Sequence, residues 1–191
     1  VSGCGTLGYY AHAVNGQLDV LARAQPIEAL LNGTAADDTE PARTVPEALR
    51  RRLATILRIR AFATEVLGLP DNGSYREYAE LDRPAVAWNV IAAPEFSLVP
   101  ERWCYPFAGC VPYRGFFARE RAQRFADELR RSGRDVRIAS VAAYSTLGWF
   151  RDPVLSPQLM RDDIELAALL FHELAHQRLY VADDAAFNES F

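Results

Sequence analysis

Two histidines four residues apart, with a glutamate directly after the first, are the most chemically suggestive pattern in this 191-residue chain: His172-Glu173-Leu174-Ala175-His176. On a helix, positions i and i+4 share a face, so both imidazoles can reach one zinc ion. Glu173 sits about 100° further round. There it can stand beside the metal without ligating it, as the general base toward a zinc-activated water. With 3 histidines and 13 glutamates in the chain, shuffled sequences would show the pattern in roughly 0.3% of cases, so chance is a poor explanation. The flanks are apolar and helix-favouring, from Ile164 through Leu166, Leu169, Leu170 and Phe171 to Leu174. Two imidazoles and a carboxylate inside so apolar a helix are costly unless paired or metal-bound. The bland alternative is a surface helix with all three groups in water.

A catalytic zinc takes three protein ligands and keeps one position for water. Downstream candidates are Asp183, Asp184 and Glu189. Glu189 is the preferred third ligand, because the interval after His176 leaves room for a helix end, a turn and a return helix. Asp183 and Asp184 suit helix caps or partners for an imidazole N–H. Leu179 and Ala182 stand where a metzincin would carry its glycine and third histidine.

These residues need elements to position them. Val14 to Leu31 reads as a helix, and Asn32 to Thr44 as a loop. Pro46 opens a second helix running to about Leu67, with Leu49, Leu53, Ile56, Leu57 and the 59–62 stretch inward, and Gly68 as its C-cap. Residues 70–74 form a turn. Strands are expected over Ala85–Ala92 and Asp135–Tyr144, with an amphipathic helix over Phe117–Ser132 between them. The motif helix spans about Gln158 to Val181, and Asp183 or Asp184 caps another. The expected fold is α+β and mainly helical, with a small sheet packed on the motif helix. Its parts are an N-terminal segment 1–13 and one zinc metallopeptidase domain, 14–191, made of a helical arm (14–68) and a catalytic core (85–191). The stretch from Asp135 to Thr146 is read as an edge strand that pairs with an extended peptide, ending near the metal. Tyr144 or Tyr180 could stabilise an oxyanion, although a core or rim role is the stronger reading for both. Arg114 could hold a substrate carboxylate; an internal pair with an acid is preferred.

Composition excludes several classes. All 21 cationic side chains are arginine, which rules out a P-loop lysine, a Schiff base and a Ser-Lys dyad. Net charge is −4 with no basic block, so nucleic acid is not an expected partner. No apolar run reaches the roughly 18 residues of a membrane span. A Ser- or Cys-based hydrolase is disfavoured, since G-x-S-x-G is absent and His12 is the only histidine outside the motif. The cysteines are Cys4, Cys104 and Cys110. Val1-Ser2-Gly3-Cys4 has the small residues that precede a lipidated cysteine in a bacterial lipoprotein; the alternative is a free thiol at a flexible terminus. With Cys4 lipidated, Cys104 and Cys110 remain as an even pair, either bonded in an oxidising compartment or buried and reduced. The chain begins without methionine and stops in a helical stretch, so a fragment truncated at its C-terminus is expected.

The motif followed by Phe187-Asn188-Glu189-Ser190-Phe191 resembles the gluzincin zinc peptidases. A nearer resemblance is to a bacterial "putative aminopeptidase" family of predicted lipoproteins. It is carried by the Gly3-Cys4 start, by Trp103-Cys104, Gly109-Cys110-Val111 and Tyr113-Arg114-Gly115, and by the block from Ala143 to Phe150. The resemblance implies one zinc ion held by His172, His176 and Glu189, with Glu173 as base. It also implies a lipid on Cys4, a Cys104–Cys110 disulfide and a periplasm-facing place in the bacterial envelope. The Gly-x-Met-Glu-Asn motif with which one gluzincin aminopeptidase family holds the substrate amine is absent, and Glu95 is only a weak stand-in. The expected function is therefore zinc-dependent peptide-bond hydrolysis in the cell envelope, with aminopeptidase as the narrower reading. Its partners would be a peptide or protein substrate and, through the lipid, a membrane. The rival is a non-catalytic envelope lipoprotein that binds a partner, with zinc structural or absent.

Overall fold

The computed structural model describes residues 3–33, 45–105, 109–141, 143 and 145–190, with side chains only after Leu7. Among these residues the protein is α+β, with six α-helices and sheets of two or three short strands. The chain gathers into two compact units: 18–84 with 143–180, and 1–17 with 85–142 and 181–191. Among the described residues no helix is long and apolar enough to cross a membrane.

The unit holding the histidine motif is built on helices α3 (Glu47–Glu65) and α5 (Asp163–Arg178). Leu166, Leu170 and Leu174 recur every fourth residue on α5 and share one core with Leu53, Ile56 and Ile27. All six are fully buried, and each such side chain contributes about 1.5–3 kcal/mol. The helix starts where Asp162 accepts hydrogen bonds from the Ile164 and Glu165 N–H groups, at 2.9 and 2.8 Å. That is later than the sequence pattern suggests, because Ser156–Met160 is a separate 3₁₀ turn.

A small sheet shares this core. Strands β1 (Ala24–Pro26), β2 (Glu77–Ala79) and β8 (Val154–Leu155) lie in the order β1-β2-β8. β1 is antiparallel and β8 parallel to β2, and Tyr78 and Val154 pack in the cluster with the α5 leucines. None of the three strands has a sequence signal strong enough to be expected. β1 also corrects the N-terminal helix expected over Val14–Leu31. Helix α1 (Gly3–Arg23) ends before it and α2 (Ile27–Asn32) begins after it. Pro26 has no N–H for a helix interior, and it biases Gln25 toward extended backbone.

One helix position departs from ordinary patterning. Arg60 on α3 is fully buried. Its guanidinium donates to the carbonyls of Ser74, Pro70 and Asn72 and to Thr64 Oγ1. It thereby satisfies the backbone of the 70–74 turn from inside. Burial lowers its pKa from the ordinary arginine value, and neighbouring Arg76 adds to the effect.

In the other unit the alternating burial of β3 (Ala87–Pro94) marks a strand with one face inward. β3 lies between β6 (Arg114–Phe116) and β7 (Arg134–Val141), antiparallel to both. The β3–β7 register runs from Ala87↔Val141 to Pro94↔Arg134. Helix α4 (Arg119–Arg131) covers the apolar face, burying Ala122 and Ala126 against Trp88, Val90 and Phe116. β7 is an edge strand that pairs, among the described residues, with β3 alone. Strands β4 (Trp103–Tyr105) and β5 (Gly109–Val111) form a hairpin with Cys104 opposite Cys110, and a disulfide joins the two. The short helix α6 (Ala185–Asn188) closes the described chain.

Candidate metal centre

α5 carries the motif where the core-facing stripe meets its flank. Counting 100° per residue, Glu173 falls within the stripe of Leu166, Leu170 and Leu174, while His172 and His176 share the adjoining face. Burial agrees: Glu173 is 9% and His176 7% exposed, and His172 is half-buried. The two Nε2 atoms face each other at 2.9 Å, and the rings meet edge to face with centroids 4.3 Å apart. Two nitrogen lone pairs brought this close need a shared proton or a shared cation. His172 and His176 thus present two ring nitrogens to one point beside α5, and Glu189 follows α6 directly with its side chain exposed.

A family model described as "Putative aminopeptidase" matches residues 8–191. The chain belongs to this family. The family's name points to peptide hydrolysis. No curated protein and no solved structure matches the chain.

The other residues singled out from the sequence have diverse positions. Tyr180 stands one turn beyond His176, with its ring edge-on to the imidazole at 6.2 Å between centroids. Tyr144 and the side chain of Cys4 lie outside the described residues. Glu95 is exposed just past the end of β3. The Arg114 guanidinium stacks over the Tyr9 ring at 4.1 Å and the Phe125 ring at 4.8 Å, and among the described residues no ion pair with an acid accompanies this aromatic contact. Beside it Tyr105 hydrogen-bonds to Tyr9, and burial raises its pKa above the usual phenol value. Asp184 caps α6, accepting the Phe187 N–H at 3.0 Å. Asp183 takes the Cys110 N–H instead.

Sequence reasoning missed the polar support of α5. Gln177 lies one turn after Glu173 on the same face. Its Oε1 accepts from Asn72 Nδ2 at 2.7 Å, and its Nε2 donates to Ser74 Oγ at 3.3 Å. Ser74 Oγ also accepts the Asp152 N–H at 3.4 Å, and the Asp152 carbonyl accepts the Tyr75 N–H at 2.6 Å. The buried Asp152 carboxylate takes bonds from Thr146 N–H at 2.9 Å, Thr146 Oγ1 at 2.8 Å and Ser145 Oγ at 3.3 Å. Burial raises its pKa, and these three donors oppose the rise. A continuous network thus ties the residue after His176 to the loop that precedes β8. Next to it is a cavity of about 380 Å³, lined by Asn72, Ser74, Gly148, Trp149, Phe150 and Arg151. Asn72-Gly73-Ser74 reads from sequence only as a turn, so nothing there pointed to a supporting role.

Proposed function

We propose that the protein is a zinc peptidase in which His172, His176 and Glu189 hold the ion and Glu173 is the general base. The observation that carries this reading is the facing pair of Nε2 atoms on one helix, 2.9 Å apart, with Glu173 beside them. Two neutral nitrogen donors and one carboxylate are the donor set of a catalytic zinc that keeps a position open.

Zinc held there supplies Lewis-acid polarisation of the scissile carbonyl and acidifies the attacking water. Glu173 takes the proton of that water and delivers it to the departing amine, with no covalent intermediate. Its place in the apolar stripe keeps bulk water from competing for that proton. The Gln177–Asn72–Ser74 bonds fix the C-terminal turn of α5 and so the imidazole pitch. The cavity beside them offers room for a substrate side chain between the Trp149 and Phe150 rings. In this reading β7, an edge strand, receives the extended peptide by strand addition, and Tyr180 is a candidate to stabilise the oxyanion. The protein acts in the bacterial envelope, facing the periplasm and held by lipid on Cys4; the Cys104–Cys110 bond supports an oxidising compartment.

The test is Glu173→Gln, assayed on free and N-terminally blocked peptides with zinc content measured in parallel. The expected result is retention of one zinc with a loss of roughly 10²–10⁴-fold in kcat. Cleavage of the free peptides alone identifies an aminopeptidase. A variant as active as the wild type, or a wild type that cleaves neither peptide set, overturns the reading in favour of a binding module.

A further inference from the structure

The residues from Val181 to Glu189 form an arm whose course is fixed bond by bond. Asp183 adopts a left-handed backbone, φ 66°. Its Oδ1 accepts the Cys110 N–H at 2.6 Å. Arg102 Nη2 donates to the Asp183 carbonyl at 3.1 Å and to the Cys110 carbonyl at 2.7 Å, stitching the two together. Gly109 allows this approach, since a Cβ there would lie 2.7 Å from Asp183 Oδ1 and 2.9 Å from its nitrogen. Further along, the buried Asn188 closes a ring on Val181: its Oδ1 accepts the Val181 N–H at 2.9 Å and its Nδ2 donates to the Val181 carbonyl at 2.8 Å. Glu189 follows immediately, its N–H bonded to the Ala185 carbonyl at 3.0 Å. A four-residue helix such as α6 has no stability of its own, so anchorage decides where the Glu189 carboxylate sits.

We propose that the disulfide-closed β4–β5 hairpin is a positioning clamp for the third metal ligand. Gly109, Cys110 and Arg102 hold Asp183, and Asp183 sets where the arm delivers Glu189. The clamp rests on the zinc reading above. Asp183 is a positioning residue here, not a ligand. The cross-link keeps the Gly109–Cys110 edge from splaying, which preserves the amide that Asp183 accepts from.

The experiment measures zinc affinity, the visible absorption of the cobalt-loaded protein and the melting temperature on the full chain. Asp183→Gly deletes the acceptor while tolerating the positive φ. Asp183→Asn keeps an acceptor oxygen in the same backbone. Gly109→Ala pushes the hairpin off the arm with the cysteines still bonded, and paired Cys104→Ser and Cys110→Ser changes remove the cross-link. The expected result is a roughly 10–100-fold loss of zinc affinity in Asp183→Gly, Gly109→Ala and the double serine variant, as for other partners that orient metal ligands. The cobalt spectrum should shift toward that of Glu189→Gln in each, and Asp183→Asn should recover most of the affinity. Wild-type affinity and spectrum in Asp183→Gly and the double serine variant would overturn the clamp. A wild type that binds no zinc overturns the metal reading beneath it, so the two failures are distinct.

Discussion

Replacing Arg60 with methionine is expected to weaken the fold by about 3 kcal/mol and to loosen the C-terminal turn of α5. Methionine keeps a long apolar stem in the site, so packing loss is small. What disappears is the fork of donors to Ser74, Pro70, Asn72 and Thr64. Each charged hydrogen bond is worth about 1.5–3 kcal/mol, but the bonds share one side chain and do not add in full. Losing the fork leaves three carbonyls and a hydroxyl without this donor, at about 1–3 kcal/mol for each one that stays buried and unpaired. Burying the guanidinium carries its own penalty, visible in its lowered pKa, and methionine is relieved of it, so the lower end applies. The Asp71 carboxylate, 3.9 Å away and 65% exposed, changes the sum little. For a chain of this length 1 kcal/mol moves Tm by about 2–4 °C, so a fall of roughly 6–12 °C is expected. Urea unfolding at unchanged m-value gives the free energy, and hydrogen exchange of the Ser74 and Tyr75 amides reports the turn. A loss under about 1 kcal/mol would refute the argument. So would full recovery by Arg60→Lys, because one ammonium cannot reach the four acceptors of a planar fork.

Three further perturbations follow from the same geometry. Saturating zinc, at about 1,000 times Kd, should stabilise the chelator-treated protein by about 4 kcal/mol, which is roughly 8–16 °C in Tm; His172→Ala should abolish the shift and Glu189→Gln should shrink it, and a full shift that survives either sinks the ligand assignment. The raised pKa of Asp152 means that the folded state binds its proton more tightly than the unfolded chain does. Its stabilising contribution is therefore complete below the ordinary value of 3.8 and declines as pH rises through the raised value, with a slope of at most about 1.4 kcal/mol per pH unit. Urea unfolding across that window should show the decline in the wild type relative to Asp152→Asn; parallel curves would contradict it. Asp162→Ala removes the cap that accepts from Ile164 and Glu165 and should cost about 0.5–2 kcal/mol, read as a Tm lower by a few degrees.

How much of this was legible in the sequence depended on whether the deciding interaction was local. The motif helix was, because leucines at every fourth position and the histidine pair share one period, and Asp162 needs only the two amides that follow it. The break before α2 was missed. Pro26 was in plain view, but the apolar residues on either side masked a boundary that its missing N–H dictates. The short strands β1, β2 and β8 were not legible, because each is stabilised by partners tens of residues away, such as Ala24 with Ala79 and Tyr78 with Val154. Arg60 shows the same limit from the other side. Its place among Ile56, Ile59 and Ala63 marks it as inward, but only the folded turn reveals the carbonyls that make an inward arginine tolerable. The candidate site divides the same way. The spacing of His172, Glu173 and His176 gives the chemistry because a helix converts sequence interval directly into distance. Gln177, Asn72, Ser74 and Asp152 escape that conversion, since what joins them is a network that links a helix to two loops. Residues proposed to perform chemistry at one end of a helix can thus be read from the chain, whereas those that hold the helix end still are visible only once it has folded.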